Sequence, residues 1–136
     1  MWVDYVTPGS GSYLVDDAGV SGGLDPESPF IILGDYNADP LDGDPVAGSP
    51  VGRAGALLVE CPRIRANPIP SSRGGLEASR SQGGANLAHL GDPGHDTADF
   101  GDRAPGNLRV DYALPSIHLE VLDCGVFWPT TRDPLY

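Results

Sequence analysis

The sequence predicts a small α+β domain, because it contains two strand patterns and one clear helix pattern. Residues 29–34 form an apolar run, which is typical of a short strand buried on both faces within a layered sheet. Residues 107–114 alternate between apolar and polar or small side chains, the period of a strand. Residues 51–60 have helical spacing and are followed by Pro62. A chain of 136 residues has room for one hydrophobic core.

The remaining segments predict a loop-rich molecule. Nineteen glycines and fourteen prolines make up about a quarter of the chain. Residues 2–6 are expected to be the tail of an amphipathic helix that ends before Pro8. Residues 118–128 alternate again and predict a second strand beside the first. Residues 62–106 keep no period and are expected to be irregular.

Composition excludes several classes of protein. The net charge is −11 and lysine is absent, so the bulk of the chain repels nucleic acid unless metal ions screen its carboxylates. The longest apolar run is far shorter than the roughly 20 residues that span a bilayer. Cys61 and Cys124 lack neighbours at zinc-binding spacing, which excludes a zinc site. A disulfide between them and two buried free thiols both remain open.

The densest polar cluster, residues 34–44, directly follows the apolar run. Asp35 and Asn37 are two residues apart and are expected to project to the same side, where they could bind a hard cation or a water molecule. An Asx-turn without catalytic function is the alternative. An EF-hand loop does not fit, because Pro40 occupies the position that needs glycine and Val46 the position that needs glutamate.

A second polar constellation lies in the alternating segment. Asp111 shares the face of Arg109, opposite the apolar side chains, and a flanked carboxylate of this kind is expected to have an arginine or histidine partner. His95 and Asp96 belong to a further loop, residues 95–100. That loop could contribute to a site, but a surface loop with a capping Asp is the favoured interpretation.

Both constellations resemble those of a known superfamily. Gly34-Asp35-Tyr36-Asn37 after an apolar strand, with Arg109-Val110-Asp111-Tyr112-x-Leu114-x-Ser116 much later, is similar to the endonuclease/exonuclease/phosphatase superfamily. Its motifs read Gly-Asp-Phe-Asn and, roughly, Arg-Ile-Asp-Tyr-x-Leu-x-Ser. The wording of residues 35–44 and 123–129 looks like a bacterial branch that is often exported, which implies a periplasmic or extracellular protein.

The resemblance implies a four-layered α/β/β/α sandwich and metal-dependent hydrolysis of phosphoesters, including nucleic acid. By carry-over, Asp35 positions and deprotonates the attacking water, and Asn37 orients Asp35 and the phosphate. Asp111 orients a catalytic histidine, while Arg109 and Tyr112 contact the substrate. The implied cofactor is Mg²⁺, or Mn²⁺ or Ca²⁺, with Asp35 and Asn37 among its ligands.

Two family elements have no counterpart in this sequence. The metal-binding Glu and first Asn belong on strands well before Gly34, and the catalytic histidine belongs to a Ser-Asp-His motif after residue 136. Residues 1–136 are therefore expected to be a C-terminal-half fragment that pairs with a missing N-terminal half and is inactive alone. An alternative hypothesis is a non-catalytic, calcium-stabilised extracellular binding module.

The fragment hypothesis makes a structural prediction. Residues 30–33 and 108–114 should lie side by side, with Asp35, Asn37 and Asp111 at a common edge, because all three must serve one phosphate. A face formed by Ile31, Leu33, Val110 and Tyr112 should be partly open to water.

Overall fold

The fold of this chain was obtained as a computed structural model, which describes residues 1–45, 47 and 52–136. In chain order the elements are α1 (Trp2–Val6), β1 (Ile31–Asp35), α2 (Ala54–Val59), α3 (Arg73–Gln82) and β2 (Asp111–Pro115). Two short 3₁₀ helices, Gly84–Ala88 and Pro93–His95, lie between α3 and β2. The mixture of helices and one sheet confirms the predicted α+β class.

The two strands lie side by side, as the sequence predicted, and the structure shows that they pair antiparallel. Ile31 lies opposite Pro115, and the register continues to Asp35 opposite Asp111. Gly34 faces Tyr112 at a backbone φ of +147°, a conformation that favours glycine. The glycine of the Gly-Asp-Tyr-Asn motif is therefore needed by the backbone at the end of the strand.

The hydrophobic core lies on one face of this sheet. Ile32 and Leu114 are directly opposite each other and almost fully buried. They pack with residues from α1, α2 and the segment that follows α2; the buried members of the cluster are Val6, Ile32, Leu58, Cys61, Ile64, Tyr112 and Leu114. The alternation seen in residues 107–114 thus identified a truly buried face.

The other face of the sheet is open, which corrects one prediction and confirms part of another. Ile31 is 55% exposed and Leu33 is 66% exposed, so β1 is not buried on both faces. The expected open face does include these two residues. It does not include Val110 and Tyr112, which are buried because they point to the core side.

Two further predictions about secondary structure were wrong. Residues 118–128 form no strand, because the backbone there bonds to loops: Val126 N–H donates to the Ser71 carbonyl (3.1 Å). Residues 62–106 are not wholly irregular, since they contain α3. Its N-cap Ser72 accepts a hydrogen bond from Gly75 N–H (3.0 Å).

The other helices agree with the sequence. The helix predicted at residues 51–60 is α2, although residues 46 and 48–51 lie outside the described part of the chain. The helix expected before Pro8 is α1. Cys61 is a buried free thiol and Cys124 an exposed one, so neither of the two open cysteine alternatives holds as stated. No helix in the described ranges has the length and apolarity needed to cross a membrane.

Candidate functional site

Asp35 and Asp111 meet at one end of the two-stranded sheet. The backbone N–H of Tyr36 donates to the Val110 carbonyl (2.9 Å), so the neighbouring Asp35–Asp111 pair is of the non-hydrogen-bonded kind. In such pairs the Cα atoms are about 4.5 Å apart and the side chains share one face. The predicted convergence of these two acids is confirmed.

Asn37 completes the cluster from the turn after β1. Its backbone N–H donates to Asp35 Oδ1 (2.8 Å), and its Nδ2 donates to Asp35 Oδ2 (3.4 Å). Asn37 adopts a φ of +46°, a conformation that asparagine tolerates better than most residues. The Asx-turn and the pairing of Asp35 with Asn37 therefore occur together in the same two residues. The turn holds the Asp35 carboxylate in place.

The two carboxylates carry uncompensated charge. Both residues are exposed, and within the described ranges neither forms an ion pair. Like charges directly opposite each other in a sheet are destabilising. Asp111 has no hydrogen-bonded partner for its carboxylate among the described residues, contrary to the expected arginine or histidine; its backbone N–H donates to Thr97 Oγ1 (3.0 Å). A bound cation would remove this repulsion.

Two carboxylates and one amide are a suitable but incomplete donor set for magnesium. Mg²⁺ prefers hard oxygen ligands and is commonly held by one or two carboxylates together with water and substrate phosphate oxygens. In the residues that the structure describes, no three His, Cys, Asp or Glu side chains are arranged to hold a metal ion. Asp35 and Asn37 thus offer oxygen donors that fit one side of a magnesium site, and the Asp111 carboxylate adds negative charge opposite them.

A cleft of about 310 Å³ begins beside Asp111. Its walls include His95, Thr97, Arg109 and Tyr112. The Arg109 guanidinium lies 4.9 Å from the centre of the Tyr112 ring, and burial lowers the pKa of Arg109 without neutralising so basic a group. The cleft therefore places a cationic group beside the exposed carboxylate of Asp111.

Of the two predicted substrate contacts, Tyr112 is hydrogen-bonded within the protein and Arg109 forms no ion pair among the described residues. The Tyr112 hydroxyl lies 2.6 Å from the Ala38 carbonyl and 2.8 Å from the Arg109 carbonyl, so it connects β2 to the turn after β1. Burial raises the pKa of Tyr112, which keeps the hydroxyl protonated as a donor. The Arg109 guanidinium forms no ion pair within the described residues and remains available to an anion.

The sequence favoured a surface loop at residues 95–100, but the structure places its first residue in the wall of the cleft. His95 lines the cleft beside Asp111, and its Nδ1 lies 2.9 Å from the Pro70 carbonyl. The Asp that caps the local helix is Asp92, which accepts from Gly94 N–H (2.9 Å), rather than a residue of the loop. The Asp92-Pro93 pair was the available signal, because Pro at the first helical position commonly follows a capping Asp.

Asp96 from the same loop is buried, with 7% of its surface exposed. Burial raises the pKa of Asp96 to about 7, and the nearby carboxylates of Asp39, Asp42 and Asp92 add to the increase. Asp39 and Asp42 come from a distant part of the chain, so the local pattern around Asp96 could not have revealed their approach. Asp96 is the most strongly perturbed carboxyl group in the described structure.

Replacing Asp96 by Asn should stabilise the protein at pH 8 but not at pH 4. The folded pKa of about 7 lies above the unfolded value of about 3.9, so stability falls as the pH rises from about 4 to 7. Asn cannot ionise and avoids this loss. Urea unfolding should show a gain of about 2 to 4 kcal/mol at pH 8 and almost none at pH 4.

The exposed Asp102→Asn variant is the control for that comparison and should change stability little at either pH. An equal effect of Asp96→Asn at both pH values would contradict the assignment of a raised pKa to Asp96.

Comparison with known proteins gives one match. Residues 2–133 match the model of the Endonuclease/Exonuclease/phosphatase family. No curated protein and no solved structure matches the chain. The matched range includes β1, β2 and the whole Asp35–Asn37–Asp111 cluster, so the match extends far beyond the two short motifs.

Proposed function

Because the chain belongs to the endonuclease/exonuclease/phosphatase family, we propose that it forms part of a metal-dependent phosphoesterase, a nuclease or phosphatase that uses in-line attack by water. The observation that carries this proposal is the pairing of Asp35 and Asp111 on an exposed face, with Asn37 bonded to Asp35. No feature of the described residues favours the alternative of a calcium-stabilised binding module.

Asp35 is the residue that positions and deprotonates the attacking water. Its carboxylate is held at two points by Asn37, through the backbone N–H and the side-chain amide, so it presents a fixed direction to the water. Fixed positioning and charge stabilisation supply most of the rate in phosphoryl transfer. Asn37 therefore acts as the positioning residue for Asp35.

The cation supplies charge neutralisation at the phosphoryl oxygens when it is bound, and Mg²⁺, Mn²⁺ or Ca²⁺ would suit its oxygen ligands. Asp35 and Asn37 would hold it from the turn after β1. Asp111 acts from the opposite strand and would orient a histidine supplied by a segment outside residues 1–136. Arg109, which is mostly buried but lines the cleft beside Asp111, contacts the phosphate of the substrate.

We also propose that these residues form part of a four-layered sandwich. The support is the open sheet face, where Ile31 and Leu33 are more than half exposed. Apolar side chains side by side on a strand favour burial against another layer. The remainder of the same domain is the proposed partner at this face, and export to the periplasm or beyond is the proposed location.

The full-length protein should hydrolyse a phosphodiester or a phosphomonoester only with a divalent cation. A panel of bis(p-nitrophenyl) phosphate, p-nitrophenyl phosphate and single-stranded DNA with Mg²⁺, Mn²⁺ or Ca²⁺ tests this expectation. Residues 1–136 alone should be inactive on every substrate, because the metal-binding Glu and the catalytic histidine that the family resemblance implies have no counterpart in them. Turnover by residues 1–136 would contradict the proposal that part of the active site lies outside them. Turnover by the full-length protein without a divalent cation would contradict the metal-dependent mechanism.

A further inference from the structure

A second cavity, of about 240 Å³, adjoins the cleft beside Asp111, since Arg109 lines both. It is enclosed by α2, by residues 66–69 and by residues 91–96. Much of its wall is aliphatic, from Leu41, Ala56, Val59 and Ile69. Asp35, Asn37 and Asp111 do not line this cavity, although Arg109 and His95 line both it and the cleft beside Asp111.

The cavity is lined by four acids, Asp39, Glu60, Asp92 and Asp96, and Asp42 lies next to it, bonded to Gly91 of the wall. Asp39 accepts from the backbone N–H groups of Leu41 and Asp42. Asp42 accepts from those of residues 90 and 91. Asp92 caps the 3₁₀ helix as described above. These bonds explain why three carboxylates are tolerated in one region, since a carboxylate bonded to backbone N–H groups is stabilised in its charged form.

Glu60 is exposed to solvent, so Asp96 is the buried acid of this group that has no hydrogen-bonded partner among the described residues. It is 93% buried, lines the cavity, and accepts no hydrogen bond from any residue in the described ranges. A mostly buried carboxylate without a protein partner costs free energy unless water or a ligand reaches it. Its oxygens are not sealed within the protein, because the cavity gives them room for an external partner.

The negative charge around Asp96 favours a cation as its external partner. The carboxylates of Asp39, Asp42 and Asp92 repel a negative charge on Asp96. The chain contains no lysine that could offset them. Arg109 also lines the cavity, but its guanidinium stacks on Tyr112 and forms no ion pair with a described carboxylate. The carboxylates of Asp39, Glu60 and Asp92 outnumber Arg109 in the lining, so the field at Asp96 is negative.

We propose that this cavity binds a small organic ammonium ion, with the Asp96 carboxylate as its charge partner and the aliphatic wall around its hydrocarbon part. A metal ion fits less well, because the wall is aliphatic and the described residues offer no cluster of three ligating side chains. The cavity is below the usual range for drug-sized ligands, which limits the ligand to a short alkyl chain.

Titration of residues 1–136 with n-butylammonium at pH 8, followed by ¹⁵N-HSQC shifts and calorimetry, tests the proposal. We expect saturable binding with shifts centred on residues 91–96. Asp96→Asn should weaken it at least tenfold, whereas Asp102→Asn should leave it unchanged. Neutral n-butanol should bind much more weakly, because it cannot form the ion pair.

A second variant tests the cavity without altering its charge. Ala56→Leu places extra carbon atoms in the cavity and should also weaken binding, so it decides the matter if Asp96→Asn fails to fold. No saturable binding, equal binding of butanol, unchanged affinity in Ala56→Leu, or displacement of butylammonium by equimolar Mg²⁺ would each overturn the proposal.

Discussion

Replacing Asp35 by Asn should lower the phosphoester hydrolysis rate of the full-length protein by about 10²-fold or more, the usual effect of losing one positioned group in such a reaction. The amide keeps an oxygen that can accept the Asn37 N–H, so the turn should survive. It cannot accept a proton from water and is a weaker cation ligand. The measurement is kcat at saturating substrate, with apparent Mg²⁺ affinity alongside.

The stability of the same variant separates catalysis from structure. Asp35 opposes another carboxylate, so removal of its charge should leave the melting temperature unchanged or slightly higher. Asp44→Asn, an exposed neighbour in the following turn, is the matched control and should retain the rate. A rate loss accompanied by an equal loss of folded protein would indicate that Asp35 has a structural role only.

The sequence was sufficient to predict the sheet and the acidic cluster because both depend on local patterns. The alternation of residues 107–114 identified the buried face of β2, and the position of Asp35 after an apolar strand placed it at the strand end. The common edge for Asp35 and Asp111 followed from the need for one shared phosphate, whereas the register that places them directly opposite each other is seen only in the structure.

What could not be predicted depends on contacts between distant segments. Helix α3 begins Arg73-Gly74-Gly75, which has poor helix propensity. Both glycines are needed because other backbone segments pack closely against them. A side chain at Gly74 would collide with the Trp128 carbonyl, and one at Gly75 with the Pro93 carbonyl. The packing of residues 128 and 93 against the helix thus outweighs propensity.

The strand predicted at residues 118–128 is not formed, and the reason is again contacts between distant segments. Its alternation is real, but its backbone groups bond to loops rather than to a neighbouring strand. Arg65 illustrates this, since its Nε and Nη2 donate to the carbonyls of Leu119 and Ile117 (2.8 Å each). Side-chain period alone does not specify where a segment's backbone hydrogen bonds are formed.

Replacing Asp39 by Ala should lower the free energy of unfolding by about 3 kcal/mol or more, because hydrogen bonds to a buried charged group are among the costliest to lose. Asp39 is 5% exposed and accepts three backbone N–H groups: Leu41 (2.7 Å), Asp42 (2.7 Å) and Arg109 (2.8 Å). The last of these joins the turn after β1 to the segment that enters β2. Urea unfolding of residues 1–136 is the measurement.

Asp44→Ala provides the control for this prediction, since Asp44 is exposed in the same turn and should change stability by less than about 0.5 kcal/mol. Asp39→Asn should fall between the two, because it keeps one accepting oxygen. A loss below about 1 kcal/mol in Asp39→Ala would contradict the assigned role, given the usual cost of an unpaired buried N–H. If the loss is as large as expected, Asp39 holds β1 and β2 in the register that places Asp35 opposite Asp111, and its substitution should also weaken cation binding at that pair without removing any ligand.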